Sequence, residues 1–367
     1  MNTGAPAHDF RQMIQDVFAG RDPGGVIWQP RIDFWYEVNR TRGTLPVHLT
    51  DFSLIDLYDY CHASIRYFNF PLRLEHKNVA ITEQWEGEKR LRRFWKTPVG
   101  SLTEVLHYDA YMLSRYNSEY LIKSAEDFPV YEYLLHNEIW SFDEAAYAEN
   151  EAQVGCRGVT QFFARRTPLQ SLFIDAMGFE NAVLFMHDHP DVVDAYIKTQ
   201  TAADDRMYNL ICAHQVPIFN LGDNIDHHMD SPRIWRKYLA PNYERRCAQL
   251  HAAGIHTSIH VDGAMKRLLG ELAHSPFESV EACTPLPQGD VTLEEIKAAL
   301  GERILLDGIP AIFFLPSFPL EELKACTEEV VRLFHPRLIL GVSDEVPPDS
   351  DIERVRMVGE WVQEMRL

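Results

Sequence analysis

From residue 216 onward the chain repeats one pattern: a short apolar run, an abrupt polar tip, then an amphipathic stretch. Val216–Leu221 ends in Gly222-Asp223-Asn224, and Ile255–Ile259 ends in His260-Val261-Asp262. Ser279-Val280 ends in Glu281, Ile304–Leu306 in Asp307-Gly308, and Leu338–Leu340 in Gly341-Val342-Ser343-Asp344-Glu345. The helical spacing of the segments between them predicts helices over about 231–251, 264–273, 292–300 and 319–333. Strands alternating with helices at this interval are parallel βαβ units. With earlier candidate strands at Val26–Gln29 and Arg157–Phe162, the pattern predicts an α/β chain folded as a (β/α)8 TIM barrel. An open doubly wound sheet fits less well, because no GxGxxG follows any strand. No linker or break in composition divides the chain, so residues 1–367 are read as one barrel domain.

Upstream the pattern differs. Residues 8–19 predict an amphipathic helix ended by Gly20, which makes an N-terminal extension. A helix near Leu54–Cys61 follows. Asn78–Trp85, Arg90–Thr97 and Ser101–Asp109 then read as short strands, so a β-hairpin insertion, an antiparallel flap over about 78–109, is expected. Residues 124–139 and 142–152 read as helical. Helices are also expected over 168–177, 180–186 and 191–214.

Composition narrows the function classes. The net charge is −19, from 35 basic and 54 acidic residues, which disfavours nucleic acid and anionic membrane as partners. The longest apolar runs, near Ala182–Met186 and Ile309–Leu315, fall far short of the roughly 18 residues that span a bilayer. The N-terminal stretch MNTGAPAHDFRQMIQD has no basic segment followed by an apolar one, so no signal peptide is read there. Six scattered cysteines without a CxxC read as reduced thiols, and a cytoplasmic protein is expected. Arg90, Arg92 and Arg93 form the one dense basic patch, either a solvated strand face or a docking site for an acidic partner.

Candidate chemistry sits at the strand ends, where a barrel of this type carries its active site. Residues i and i+2 of a strand share a face, so His260 and Asp262 point one way, as do Glu281 and Cys283. Asp223 with Asn224, and Ser343 with Asp344, would line the same mouth. A nitrogen-and-oxygen set of this kind suits zinc with one position left open. Pro30–Tyr36 is a dense aromatic cluster holding Arg31 and Asp33. It reads either as core or as a substrate wall. Arg31, Trp35, Phe162 and Asn224 are the candidate substrate contacts.

Several stretches, in this order, resemble the uroporphyrinogen decarboxylase superfamily and its corrinoid-dependent methyltransferase branch. They are Thr97-Pro98-Val99-Gly100-Ser101-Leu102-Thr103, Gly222-Asp223-Asn224-Ile225, His260-Val261-Asp262-Gly263, Glu281-Ala282-Cys283-Thr284-Pro285 with Gly289-Asp290, and Gly341 to Pro348. The resemblance implies a barrel and a zinc-dependent methyl transfer. Thiol-methylating members carry His-x-Cys on the central strand and a further Cys near the last strand. Asp262 and Ser343 stand at those places here, and this harder, oxygen-rich set points instead to the O-demethylating relatives.

What the resemblance implies is a methyltransferase that takes the methyl group of a methoxylated aromatic and passes it to the cob(I)alamin of a separate corrinoid protein. His260, Asp262 and Glu281 would be catalytic. His260, Asp262, Glu281, Asp223, Ser343 and Asp344 would supply the metal ligands. No cobalamin-binding signature is present: Asp226-His227-His228-Met229-Asp230-Ser231 lacks the glycine of Asp-x-His-x-x-Gly, so cobalamin is expected on the partner. A metal-free lyase of the decarboxylase type would need a basic mouth. A barrel that only binds a corrinoid or tetrapyrrole is the non-enzymatic alternative.

Overall fold

The structure, a computed structural model, describes residues 8–365. The first seven residues of the stretch read as lacking an export signal lie outside them. The chain forms two compact units. One comprises the chain through Phe70, Glu144–Ala164 and everything from Val216 onward; the other comprises Pro71–Asp143 and Arg165–Gln215.

The first unit is built on a six-stranded parallel sheet. In spatial order its strands are Gln161–Phe162, Ile218–Ile225, His256–Val261, Ser279–Glu281, Ile304–Pro310 and Leu338–Ser343. Neighbours in space are neighbours in sequence, the order that consecutive strand–helix–strand units give when each strand is added beside the last. Helices Ala240–Ala252, Leu293–Leu300 and Leu320–Phe334 occupy the predicted intervals. The helix expected over 264–273 shrinks to Leu269–Ala273. Gly263 stands at φ +65°, and the N–H groups of Met265 and Lys266 donate to the Asp290 carboxylate. That carboxylate holds the preceding turns as a loop.

Two extended segments lie along the edges of this sheet. Trp28 bridges Leu340 in parallel, and the Gln29 N–H donates to the Leu340 carbonyl at 2.7 Å. Tyr67 bridges Gln161, and the Ser64 N–H donates to the Trp28 carbonyl at 2.7 Å. The first lies in the stretch expected as the first strand, Val26–Gln29, and makes an isolated bridge at Trp28. The second, residues 64–67, is not evident in the sequence, because Arg66 interrupts an otherwise apolar run.

One end of the sheet interior is closed by the N-terminal helix Phe10–Phe18. Asp9 caps it by accepting from the Gln12 N–H. Its apolar positions recur at helical spacing, so Phe10, Ile14, Val17 and Phe18 pack on Ile27, Val159, Ile218, Ile304, Leu306 and Ile339. Burying each such side chain contributes about 1.5–3 kcal/mol as an upper estimate. Beyond this apolar layer the interior turns polar: Gln29, Ser64, Arg66, Asn220, Ser258, Glu281 and Asp307 are all buried.

The second unit carries a four-stranded antiparallel sheet of Ala80–Trp85, Arg90–Thr97, Gly100–Tyr108 and Arg115–Glu119. The first three strands are the expected flap. The fourth reads Arg-Tyr-Asn-Ser-Glu and lacks an apolar alternation that would announce it. Glu138–Phe142, which straddles the junction of the two predicted helices at 139–142, is instead a strand paired with Leu72–His76. Its Ile-Trp-Ser-Phe content suits a pleated surface, and a partner some 60 residues away in sequence decides the outcome. The basic patch is neutralised within the sheet. Arg90 pairs with Glu86, Arg92 with Glu86 and Glu119, and Arg93 with Glu83 and Glu104.

No helix among the described residues is long and apolar enough to cross a membrane. All six cysteines are free thiols.

Candidate functional site

Strand register brings the first two functional side chains together. His260 and Glu281 are paired positions on adjacent parallel strands, so their side chains emerge side by side on one face. His260 Nδ1 lies 3.5 Å from Glu281 Oε2, and its Nε2 lies 3.7 Å from Asp344 Oδ1. His260, Glu281 and Asp344 each offer a ligand atom, and these atoms lie within 4.8 Å of one another.

Glu281 is fully buried and held from three directions. Arg66 Nη1 donates to its Oε1 at 2.7 Å, and the Tyr67 hydroxyl donates to Oε2 at 2.5 Å. Asn220 Nδ2 donates to the same Oε2 and, at 2.7 Å, to the Tyr67 oxygen. Arg66 in turn reaches Asp307 Oδ1 at 2.7 Å through Nη2 and Gln29 Oε1 at 2.8 Å through Nε. Charge-assisted bonds of this kind strengthen in a low-dielectric interior.

Asp307 enters this network against simple alternation. Leu306 already faces the apolar interior, so the next residue would turn outward. A φ of +83° brings the Asp307 carboxylate back inside, a conformation that costs of order 1–3 kcal/mol for a non-glycine residue. Gly341 makes the room: a Cβ there would stand 2.3 Å from Asp307 Oδ1 and 2.8 Å from the Gln29 carbonyl.

At the mouth, Arg31 binds Asp344 through Nη1 and Glu345 Oε2 at 3.3 Å through Nη2, and it lies 5.1 Å from the centre of the Tyr67 ring. The Val346 N–H donates to the Arg31 carbonyl at 2.9 Å, which ties the two loops together. Phe163 packs edge-on against Tyr67 and Phe70, and both phenylalanines are partly exposed.

The electrostatics follow from this packing. Burial opposes ionisation of Glu281, but Arg66, then His260 and Arg31, outweigh it and hold its carboxyl well below the usual range. Burial likewise opposes the imidazolium of His260, yet Glu281 and then Asp344 raise it above its ordinary value. Burial pushes Asp307 up to about 6, with Arg66 offsetting part of the effect and Glu281 adding to it. Burial also pushes Glu345 up to about 7, against Arg31 and with the help of Asp344.

The other sequence candidates fall elsewhere. Asn220 points inward, so Asp223 three residues on points outward, where it accepts from the Tyr243 hydroxyl at 2.7 Å. Asp262 accepts from Asn224 Nδ2 at 3.3 Å, outside the His260 group. Ser343 is buried, and its hydroxyl accepts from the Gly308 N–H at 3.1 Å, while Asp344 lies with His260 and Glu281. Trp35 is buried with its indole N–H on the Ser350 carbonyl, and Phe162 packs edge-on against Phe219. Of the candidate substrate contacts, Arg31 reaches the cluster. Cys283 is not in the group; Ala282 at φ +62° breaks the alternation, and burial, then Asp290, pushes the thiol up to about 12.

Arg66, Tyr67, Asn220 and Asp307 were not among the sequence candidates. Asp307 did stand at a predicted strand tip, and the signal for Arg66 and Tyr67 was their place in the largely apolar run Ile65–Phe70.

A family profile described as uroporphyrinogen decarboxylase (URO-D) matches residues 170–365, more than half of the chain. The chain belongs to the URO-D family. No curated protein matches it. Among solved structures, this URO-D family member is similar to a methyltransferase from Methanosarcina mazei, at 14% identity over 71% of this chain and 74% of that one, with a TM-score of 0.52. A B12-independent methionine synthase from Shewanella sp., in complex with selenomethionine, matches at 9% identity over 80% of this chain and 77% of that one, with a TM-score of 0.38. The likeness to the Methanosarcina protein is one of fold.

The donor set fits zinc. Four carboxylates, Glu281, Asp307, Asp344 and Glu345, face two guanidiniums, Arg31 and Arg66. That excess of negative charge accords with the upward push on Asp307 and Glu345, and a divalent cation would offset it. An imidazole with carboxylates is a set that zinc accepts.

Proposed function

We propose that this URO-D family member is a zinc-dependent methyltransferase that demethylates a methoxylated aromatic and passes the methyl group to the cob(I)alamin of a separate corrinoid protein. The observation that carries this reading is the meeting of His260, Glu281 and Asp344 within 4.8 Å, in a cluster whose carboxylates outnumber its guanidiniums. On this reading the six-stranded sheet and the two segments along its edges together make a (β/α)8 barrel, with the cluster at the C-terminal ends of its strands.

The chain's own residues have distinct tasks. His260 and the neighbouring carboxylates hold the metal. When bound, zinc would act as a Lewis acid toward the ether oxygen of the substrate. Tyr67, Phe163 and Phe70 offer edge-packed aromatic surface beside the cluster, which suits an aryl ether. Arg31 stands where it can meet a negative oxygen of the substrate or product. The acidic mouth disfavours a polycarboxylated tetrapyrrole and with it the metal-free lyase reading.

Metal content of the purified chain tests the proposal. About one zinc per chain, lost in His260→Ala, is the expected result, followed by turnover of methoxybenzenes with supplied cob(I)alamin. A chain that takes up no metal even after zinc reconstitution would sink it.

A further inference from the structure

Resting on that zinc reading, we infer that Glu281 is the residue that positions His260, and that the metal is held on the opposite side of the ring, through His260 Nε2 with Asp344. The two ring nitrogens face different surroundings. Nδ1 faces Glu281 Oε2 at 3.5 Å, deep in the interior, whereas Nε2 faces Asp344 Oδ1 at 3.7 Å, toward the mouth.

The anchoring of Glu281 decides between the two sides. Its Oε2 accepts from the Tyr67 hydroxyl and from Asn220 Nδ2. The Tyr67 hydroxyl cannot turn away easily, because Asn220 also donates to its oxygen at 2.7 Å and so directs its proton to Glu281. Oε1 is taken by Arg66, whose side chain is 1% exposed beside the 0% exposed Glu281. A metal on Glu281 would therefore have to compete with three buried donors, one of them in a buried ion pair.

Asp344 and Glu345 are in the opposite condition. Their side chains are 32% and 31% exposed, and both are gathered on the single guanidinium of Arg31. That guanidinium lies at the mouth and can leave for solvent or for a substrate oxygen. Asp344 already lies beside Nε2, and Glu345 shares its guanidinium, which makes the open side of the ring the metal's side. A metal-bound histidine commonly gives its other ring N–H to a carboxylate, which fixes the tautomer and strengthens the ligand. Glu281, held rigid by Arg66, Tyr67 and Asn220, is built for that task.

The test is a crystal structure of the zinc-loaded full chain with anomalous data at the zinc edge, together with cobalt(II) absorption spectra of variants. A peak beside Nε2, close to Asp344 and away from Glu281, is expected. Glu281→Gln should keep the visible spectrum of bound cobalt while its affinity falls about 10–100-fold, and Asp344→Asn should change the spectrum itself. A peak between Nδ1 and Glu281 overturns the inference while leaving the zinc reading intact. No metal in the wild-type chain overturns both. The wild-type peak position needs no variant, so a Glu281→Gln chain that fails to fold leaves the test decisive.

Discussion

Arg66 and Glu281 are 215 residues apart in the chain and form an ion pair of 2.7 Å whose side chains are 1% and 0% exposed. The same guanidinium serves Asp307, so one buried cation stands between two buried carboxylates. A buried pair of this kind is weak evidence for net stability, but breaking it leaves an uncompensated charge. Arg66→Met should therefore destabilise the first unit by about 3–5 kcal/mol, read as a lower urea midpoint. An unchanged midpoint would mean that Glu281 and Asp307 find other partners.

The room beside Asp307 gives a second prediction. Gly341→Ala sets a methyl group against Asp307 Oδ1 and the Gln29 carbonyl, one of them backbone, so something must shift. Overpacking of this sort costs about 1–3 kcal/mol, and a thermal melt should show it as a clear drop in Tm.

A thiol-free site gives the third. Cys283 is buried, its thiol is pushed up to about 12, and it lies outside the His260 group. Cys283→Ala should bind as much zinc as the parent chain by metal analysis. Loss of zinc in that variant would mean that a thiolate ligand had been overlooked.

The flap arginines give the fourth. Arg90 pairs with Glu86 in a partly exposed setting, where such pairs contribute within about 1 kcal/mol. Arg90→Ala should leave the urea midpoint nearly unmoved. A large drop would show that the flap's stability rests on its ion pairs.

Acid stability gives the fifth. Burial opposes the charge on Glu278, but bonds from His256 at 2.7 Å and from the Thr257 N–H at 2.9 Å outweigh it and hold its carboxyl below its ordinary 4.5. A carboxyl lowered on folding contributes stability that is complete above its unfolded value. That contribution is lost as pH falls from 4.5 through the folded value. Glu278→Gln should remove part of the acid dependence of stability between neutral pH and about pH 3, measured as urea midpoints across the range. Parallel pH profiles for the two chains would assign the acid sensitivity to other groups.

Part of the site was legible because local pattern and strand geometry agree. His260 and Glu281 stand at the ends of apolar runs, where an inward face at a strand end is a site position in this architecture. The same rule misled at Asp223, because parity along the strand, which no single residue reveals, turns it to the Tyr243 side. It could not separate Ser343 from Asp344 either, since adjacent residues of a strand face opposite ways and the chain leaves the strand there.

The sequence by itself determined the repeating strand–helix order, the N-terminal amphipathic helix and the placement of acid–base side chains at strand ends. These depend on period and on neighbours a few residues away, which the chain carries locally. Only the tertiary structure decided that Arg66 lies between Glu281 and Asp307, that Asp307 turns inward at φ +83°, and that the flap arginines are neutralised. Those outcomes depend on which distant groups share a low-dielectric interior. An unpaired charge there is too costly to persist, so its partner is selected by space and not by sequence distance.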